Sequence, residues 1–245
     1  MPAYFAAKTL RQTLAEIPAG CCDDLILGDD ASQDGTAELA EGLGLCVVRS
    51  ARNRGYGGNQ KQIYQKALDR GAEIIVMLHP DGQYDARLIP HFVGFVRDGA
   101  CDLMLGNRVR TRRECLQDGM PVWKYLANRL LTIFENVVFG QNLGEMHSGF
   151  RVYRRKVLET IPFHANSEDF VFDSELIAQA VYHGFKLADA PMPVRYFPEA
   201  SSISFRRSLR YGLATVGVAL KFLLQRLRLG RFALFAPGPG STPPQ

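Results

Sequence analysis

The sequence predicts an α/β fold with a mostly parallel sheet flanked by helices. Over the first two-thirds of the chain, short apolar segments alternate with amphipathic ones, which is the pattern of parallel strands joined by helices. Three apolar segments run directly into polar clusters, at Asp29-Asp30, at 81–85 and at Asn107-Arg108. In open α/β sheets the ligand crevice lies beyond the carboxyl ends of the strands, so these clusters are expected to form one site. Each cluster alone is equally typical of a helix cap or a turn.

The first half of the chain contains the clearest strand and helix signals. Leu25 to Leu27 is an apolar run that ends at a glycine, and Asp34 or Thr36 can cap the helix that follows it. Further strands are expected at 46–48 and at the very apolar 74–78. A glycine-rich loop is expected at 53–59, with helices after it at 60–70 and 88–97.

The second half continues the alternation. Strands are expected at 102–106, 148–153 and 186–190. A long amphipathic helix is expected at 122–139, with others at 154–160 and 169–183.

Composition and charge narrow the class of protein. The chain has 245 residues, 47% of them hydrophobic and 22% charged, so it can bury one sizeable core and is not globally disordered. Five cysteines without a paired spacing, and no apolar leader after Met1, indicate a cytoplasmic protein with reduced thiols. The net charge of +4 is small and suits anionic substrates. The excess of positively charged residues is confined to part of the chain, which argues against a nucleic-acid partner.

Five ordered segments carry a resemblance to a known family. Residues 28–36 read Gly-Asp-Asp-Ala-Ser-Gln-Asp-Gly-Thr, and the glycine-rich loop, 81–83, 106–108 and 148–151 follow. In this order they resemble family 2 glycosyltransferases, most closely the dolichyl-phosphate mannosyltransferase-like branch. The resemblance implies a GT-A (nucleotide-diphospho-sugar transferase) fold. It also implies inverting, metal-dependent transfer of a sugar from a nucleoside diphosphate sugar to an acceptor, for which a polyprenyl phosphate or a glycan is the candidate.

By this resemblance, the metal site follows the strand at 74–78. Asp81 and Gln83 match the second acid and the glutamine of the family's Asp-x-Asp motif, and His79 stands in place of the first acid. Carboxylate oxygens are suitable ligands for Mg²⁺ or Mn²⁺, and the departing diphosphate needs the positive charge of such a metal ion. His79 either ligates Mn²⁺ through its imidazole or packs beside Pro80; the sequence leaves both open.

The resemblance also assigns the nucleotide and phosphate contacts. Asp30 is expected to accept a hydrogen bond from the nucleotide, which Pro2 and Tyr4 also contact. The acidic residue that the family places two positions after this tyrosine is Ala6 here. Arg108 is expected to bind the diphosphate or an acceptor phosphate, with an ordinary surface salt bridge as the alternative.

Asp173 is a further candidate catalytic residue. Its helix neighbours Phe170, Leu176 and Ile177 place it on an apolar face, where a carboxylate is costly unless it is paired or functional. It could act as a general base for a hydroxyl acceptor. With a phosphate acceptor it would instead orient a sugar hydroxyl or pair with an arginine, and a purely structural role is equally open.

The C-terminal part predicts a basic amphipathic helix after a catalytic domain. We expect a catalytic domain at 1–205, the helix at 206–234 and a disordered tail at 235–245. Arginines flank the apolar run 213–224, which suits peripheral contact with the inner face of an anionic membrane; packing on the chain's own domain is the alternative. The run is too short to span a bilayer.

One element of the family is not found in this sequence. Family members begin with an apolar strand just before the segment that matches residues 1–4, so the fold is expected to lack its first strand and to leave two neighbouring strands without partners. With His79 and Ala6, this gap motivates a second hypothesis, a non-catalytic relative that binds a nucleotide sugar or a partner protein. A Rossmann-type oxidoreductase is disfavoured, because no Gly-x-Gly-x-x-Gly follows the first expected strand.

Overall fold

The computed structural model of the chain describes residues 1–117, 119–195 and 205–238. Within these ranges, seven strands form two sheets. The first sheet has the order β1-β2-β3 and is parallel throughout; its strands are Pro2–Ala3, Ile26–Asp29 and Cys46–Arg49.

The second sheet has the order β4-β6-β5-β7. Its strands in chain order, β4 to β7, are Ile74–Met77, Leu103–Asn107, Arg151–Arg154 and Leu187–Pro191. β6 is antiparallel to both of its neighbours, and β7 is parallel to β5. The chain therefore has the α/β class and the mostly parallel strand directions that the sequence predicts.

Nine α-helices of the described residues surround the sheets. In chain order, α1 to α9 are Leu10–Ala15, Thr36–Gly42, Gly55–Asp69, Ile89–Arg97, Arg112–Gln117, Val122–Phe139, Arg155–Thr160, Phe172–Tyr182 and Phe205–Arg226. The short helices α1 and α5 were not predicted. None of the helices in the described ranges is both long and apolar enough to cross a bilayer.

Two predicted helix starts are wrong. α3 begins at Gly55 rather than at residue 60, so most of the expected glycine-rich loop is helical. The cause is a distant residue, because the Asp30 carboxylate accepts hydrogen bonds from the backbone N–H of Arg54 and Gly55 and so caps the new start. α8 begins at Phe172 rather than at residue 169.

The C-terminal helix is part of the main core. α9 packs against α6 and α8 through Val218, Ala219 and Phe222, all of them buried. The predicted boundary at 205/206 therefore does not separate two packing units, and the helix ends at Arg226 rather than at residue 234.

The predicted disordered tail, 235–245, is corrected at its start. Phe235 is only 2% exposed, in the same cluster as Phe222, and the Gly238 N–H donates to the Thr160 carbonyl at 2.9 Å. Residues 239–245 lie outside the described residues.

Candidate active site

A cavity of about 190 Å³ lies beyond the carboxyl ends of β4 and β5, where the sequence predicts the site. α6, α8 and α9 contribute its other walls. The predicted residues that line it are His79, Asp81, Gln83, Arg108 and Asp173. Two of the three predicted strand-end clusters, 81–85 and Asn107-Arg108, thus meet at this cavity, together with Asp173 of α8; the third, Asp29-Asp30, does not line it.

Asp81 lies in the turn that follows β4. Its Oδ1 atom accepts a hydrogen bond from the Gln83 backbone N–H at 3.1 Å, which holds the turn closed. Gly82 between them has a φ of 70°, a left-handed conformation that favours glycine. The turn presents the Asp81 carboxylate and the Gln83 amide to the same cavity.

His79 is packed between two tyrosine rings. Its ring stacks on Tyr56 at a centroid distance of 5.6 Å and on Tyr84 at 6.2 Å, and its Nε2 atom lies 3.3 Å from the Tyr56 hydroxyl. Burial lowers the pKa of His79, although the charges of Asp81 and Asp173 oppose this. A neutral imidazole is also the form that binds a metal, so the packing and ligand alternatives share one protonation state.

The donor types of this cavity fit a divalent metal bound together with a diphosphate. Among the described residues, no group of three or more His, Cys, Asp or Glu side chains forms a ready-made metal cage. Mg²⁺ at nucleotide sites needs no such cage, because one or two carboxylates and the substrate phosphates hold it. Asp81 offers a carboxylate for such a site, and His79 and Gln83 line the same cavity.

Arg108 is held by a buried acid that the sequence analysis missed. Its Nε atom donates to Glu145 Oε1 at 2.8 Å and its backbone N–H donates to Oε2 at 2.7 Å, while Nη2 contacts the same carboxylate. Glu145 is fully buried, so the surface salt bridge considered for Arg108 is in fact a buried one. Burial alone would raise the pKa of Glu145, but the Arg108 guanidinium lowers it overall. This pair fixes the arginine at the wall of the cavity.

Asp173 belongs to a buried network around Arg151. Its Oδ2 atom accepts a hydrogen bond from the Tyr56 hydroxyl at 2.8 Å and lies 3.4 Å from Arg151 Nη2. Arg151 has no exposed surface and also donates to the Ser148 and Asp173 carbonyls. Of the roles left open for Asp173, the structure contains the arginine pair.

The predicted nucleotide contacts lie on the first sheet and do not line this cavity. Pro2 is buried in β1, and Tyr4, in the loop after it, is 55% exposed. Burial raises the pKa of Asp30, although its bonds from Arg54 and Gly55 oppose this. Asp30 caps the start of α3, and Tyr56 in the first turn of that helix lines the cavity beside the second sheet. The first turn of α3 therefore links Asp30 to the second sheet.

A second polar cluster was also missed. Glu135 is fully buried with its Oε2 atom 3.1 Å from His147 Nε2, and His147 Nδ1 lies 2.8 Å from the Tyr211 hydroxyl. Tyr211 also contacts Ser174, and both His147 and Tyr211 line the cavity. The available signal was the position of His147 directly before the 148–151 motif.

Comparisons with known proteins agree with this geometry. The family model described as glycosyl transferase family 2 matches residues 1–162. The low-salt glycan biosynthesis hexosyltransferase of Haloferax volcanii is 30% identical over 220 residues, which make up 86% of this chain and 51% of that protein. This chain therefore spans about half the length of that relative. The polyprenol monophosphomannose synthase of Mycolicibacterium smegmatis is 24% identical over 200 residues, which make up 78% of this chain and 74% of that protein.

A solved structure shows the same fold. Glucosyl-3-phosphoglycerate synthase from Mycobacterium tuberculosis, in complex with Mn²⁺, uridine diphosphate and glucosyl-3-phosphoglycerate, aligns with a TM-score of 0.67. The alignment covers 91% of this chain and 77% of that one at 17% identity. The family match and the shared fold establish that this chain belongs to glycosyl transferase family 2 and is a glycosyltransferase of the GT-A fold.

Proposed function

We propose that the chain transfers a sugar, with inversion, from a nucleoside diphosphate sugar to a polyprenyl phosphate at a membrane surface. The observation that supports this most is the setting of the cavity around Asp81. Trp123 lines that cavity and is also 38% exposed on α6, so the site opens beside a large apolar surface.

The donor half of the proposal rests on Asp81. Asp81 would hold a divalent metal together with the donor diphosphate, and the metal would supply positive charge as the nucleotide departs. His79 and Gln83 would supply the protein's other ligands, and because burial lowers the pKa of His79, its imidazole would add no competing positive charge. Asp30, Pro2 and Tyr4 hold the nucleotide from the first sheet.

The acceptor half rests on two cationic side chains at the cavity wall, Arg108 and Lys124. A lipid phosphate is already ionised at neutral pH and can attack without a general base. Asp173 is engaged by Arg151 and Tyr56, which suits a carboxylate that positions its neighbours rather than one that removes a proton. A glycan hydroxyl would need such a base, so this network favours the phosphate acceptor.

The apolar surface next to the cavity suits a lipid-bound substrate. We call it the α6–α9 surface; its exposed apolar side chains are Val122, Trp123, Leu126, Leu130, Ile133 and Val137 on α6 and Leu209, Leu213, Leu220 and Leu224 on α9. Arg206, Arg207 and Arg210 are exposed at the start of α9. An apolar face with flanking arginines is typical of helices that lie on anionic bilayers.

The proposal is tested by transfer and binding assays on vesicles. We expect transfer from a nucleotide sugar to a polyprenyl phosphate in phosphatidylglycerol vesicles, and its loss in Asp81→Ala. The double variant Leu126→Ser and Leu130→Ser should lose vesicle binding and keep Mn²⁺-dependent binding of the nucleotide. Phe95→Ser, which removes an exposed aromatic side chain of α4, is the matched control and should bind vesicles normally. Transfer to a soluble glycan but not to the lipid phosphate would contradict the proposed acceptor.

A further inference from the structure

The two ring nitrogens of His79 have different surroundings. Nε2 lies 3.3 Å from the Tyr56 hydroxyl, and a Cβ added to Gly149 would lie 2.6 Å from both Nε2 and Cδ2, so the main chain closes this edge of the ring. Nδ1 lies across the ring from this edge; it makes no hydrogen bond within the described part of the chain and is not sealed from open space. Because His79 lines the cavity around Asp81, Nδ1 is the nitrogen that a ligand in the cavity can reach.

The hydrogen bonds of Tyr56 determine which nitrogen of His79 carries the hydrogen. The Tyr56 hydroxyl donates its hydrogen to Asp173 Oδ2 at 2.8 Å. Asp173 is an acceptor here, because Gln60 Nε2 donates to its Oδ1 atom at 3.3 Å and Arg151 Nη2 lies 3.4 Å from Oδ2. A hydroxyl has a single hydrogen to donate, so towards His79 the Tyr56 oxygen acts as an acceptor. Nε2 therefore carries the ring hydrogen, and Nδ1 keeps its lone pair.

Ring packing fixes the orientation of the same imidazole. Tyr56 stacks on it with an interplanar angle of 12°, and Tyr84 with an angle of 25°. A histidine that binds a metal almost always donates its second ring N–H to an outer partner, which fixes both the tautomer and the direction of the ring. The Tyr56 hydroxyl is such a partner for His79, and Asp173 in turn orients the hydroxyl. The imidazole is thus held as a nitrogen donor at the wall of the cavity.

We propose that Tyr56 is a positioning residue of the donor site: with Asp173 it holds His79 so that Nδ1 binds the metal, and this nitrogen makes the site select Mn²⁺ and Co²⁺ over Mg²⁺. Mg²⁺ takes oxygen ligands and keeps several waters, whereas the affinity of nitrogen sites rises along the first transition series from Mn²⁺ to Co²⁺. The inference rests on the proposed function, because it takes Asp81 as the carboxylate ligand of the same metal.

Pulsed electron paramagnetic resonance of the full chain with Mn²⁺ tests the nitrogen ligand. The samples contain Mn²⁺ with UDP or Mn²⁺ with GDP. We expect the nitrogen coupling of a coordinated imidazole in the parent chain. His79→Asp should lose this coupling and still bind Mn²⁺, because a carboxylate replaces the imidazole. His91→Asp changes an exposed histidine of α4 and is the matched control, which should keep the coupling.

Calorimetric titration of Mg²⁺, Mn²⁺ and Co²⁺ into the nucleotide-bound chain measures the selectivity. We expect the affinity to rise in that order, and the differences to narrow in His79→Asp. Tyr56→Phe keeps the stacked ring and removes the hydroxyl, so it should weaken Mn²⁺ and Co²⁺ binding by about 10-fold and leave Mg²⁺ binding nearly unchanged. The control Tyr182→Phe removes a hydroxyl that bonds Gln225 outside the cavity and should change none of the three affinities.

Asp81→Ala separates this inference from the proposed function. If no binding of Mn²⁺ with a nucleotide depends on Asp81, both are wrong. If binding depends on Asp81 but the parent chain shows no nitrogen coupling, or His79→Asp retains it, the donor site stands and His79 is not its nitrogen ligand. Equal weakening of all three ions by Tyr56→Phe would likewise overturn the positioning role and leave the donor site in place.

Discussion

Replacing Asp173 with asparagine should lower the free energy of unfolding, because the buried charge of Arg151 loses its partner. The two charged groups are 3.4 Å apart and Arg151 has no exposed surface. With an effective dielectric constant of about 20, two unit charges at this distance attract by about 5 kcal/mol. Removing one partner of a buried pair typically costs about 3–5 kcal/mol, because the other charge remains buried without compensation. We therefore expect Asp173→Asn to lower the free energy of unfolding by about 3–5 kcal/mol.

Urea unfolding of four proteins measures this coupling: the parent chain, Asp173→Asn, Arg151→Met and the double variant. The double variant should be more stable than Asp173→Asn alone, because the uncompensated charge is gone. Asp169→Asn replaces an exposed carboxylate just before the same helix and should change the free energy of unfolding by less than about 0.5 kcal/mol. An Asp173→Asn variant as stable as this control would refute the reasoning.

Two further outcomes follow from buried groups. The Met1 amine has a pKa of about 5 in the folded chain and about 8 in an unfolded one, so the unfolded state binds the extra proton between these values. The contribution of this amine to the free energy of unfolding should be highest above pH 8 and fall by up to about 4 kcal/mol towards pH 5. Urea unfolding across pH measures this slope, and acetylation of the amine should remove it. Gly149→Ala places a Cβ 2.6 Å from the His79 ring, so it should lower the free energy of unfolding by about 1–3 kcal/mol, measured by thermal unfolding, and weaken nucleotide binding. The control Gly217→Ala adds a Cβ to open space in α9 and should change neither property.

The elements that the sequence predicts well are those specified by local pattern. α6 spans Val122–Phe139 as predicted, because its apolar spacing is regular, Pro121 precedes it and Gly140 ends it with a φ of 67°. The start of α3 was missed because Asp30, 24 residues away, caps it. Local sequence cannot report a cap that comes from a neighbouring strand.

In the candidate site, too, the sequence predicts the residues that local pattern specifies and misses those that depend on distant partners. Asp81, Gln83 and Arg108 were found because they follow strand ends, which converge at one edge of a sheet. Glu145 was not found, because its pairing with Arg108 spans 37 residues and no spacing rule encodes it. The Arg151 partner of Asp173 was named only as a residue type, since the apolar helix face indicates that a partner is needed without saying which one.

The most direct measurement of the central claim is calorimetric titration of UDP and GDP into the purified chain, with and without Mn²⁺, alongside Asp81→Ala. The account predicts that one nucleotide binds, that binding requires Mn²⁺, and that Asp81→Ala abolishes it while the variant remains folded by circular dichroism. Binding that is unchanged in Asp81→Ala, or equally tight without a metal, would contradict the assignment of Asp81 as the metal ligand of the donor site.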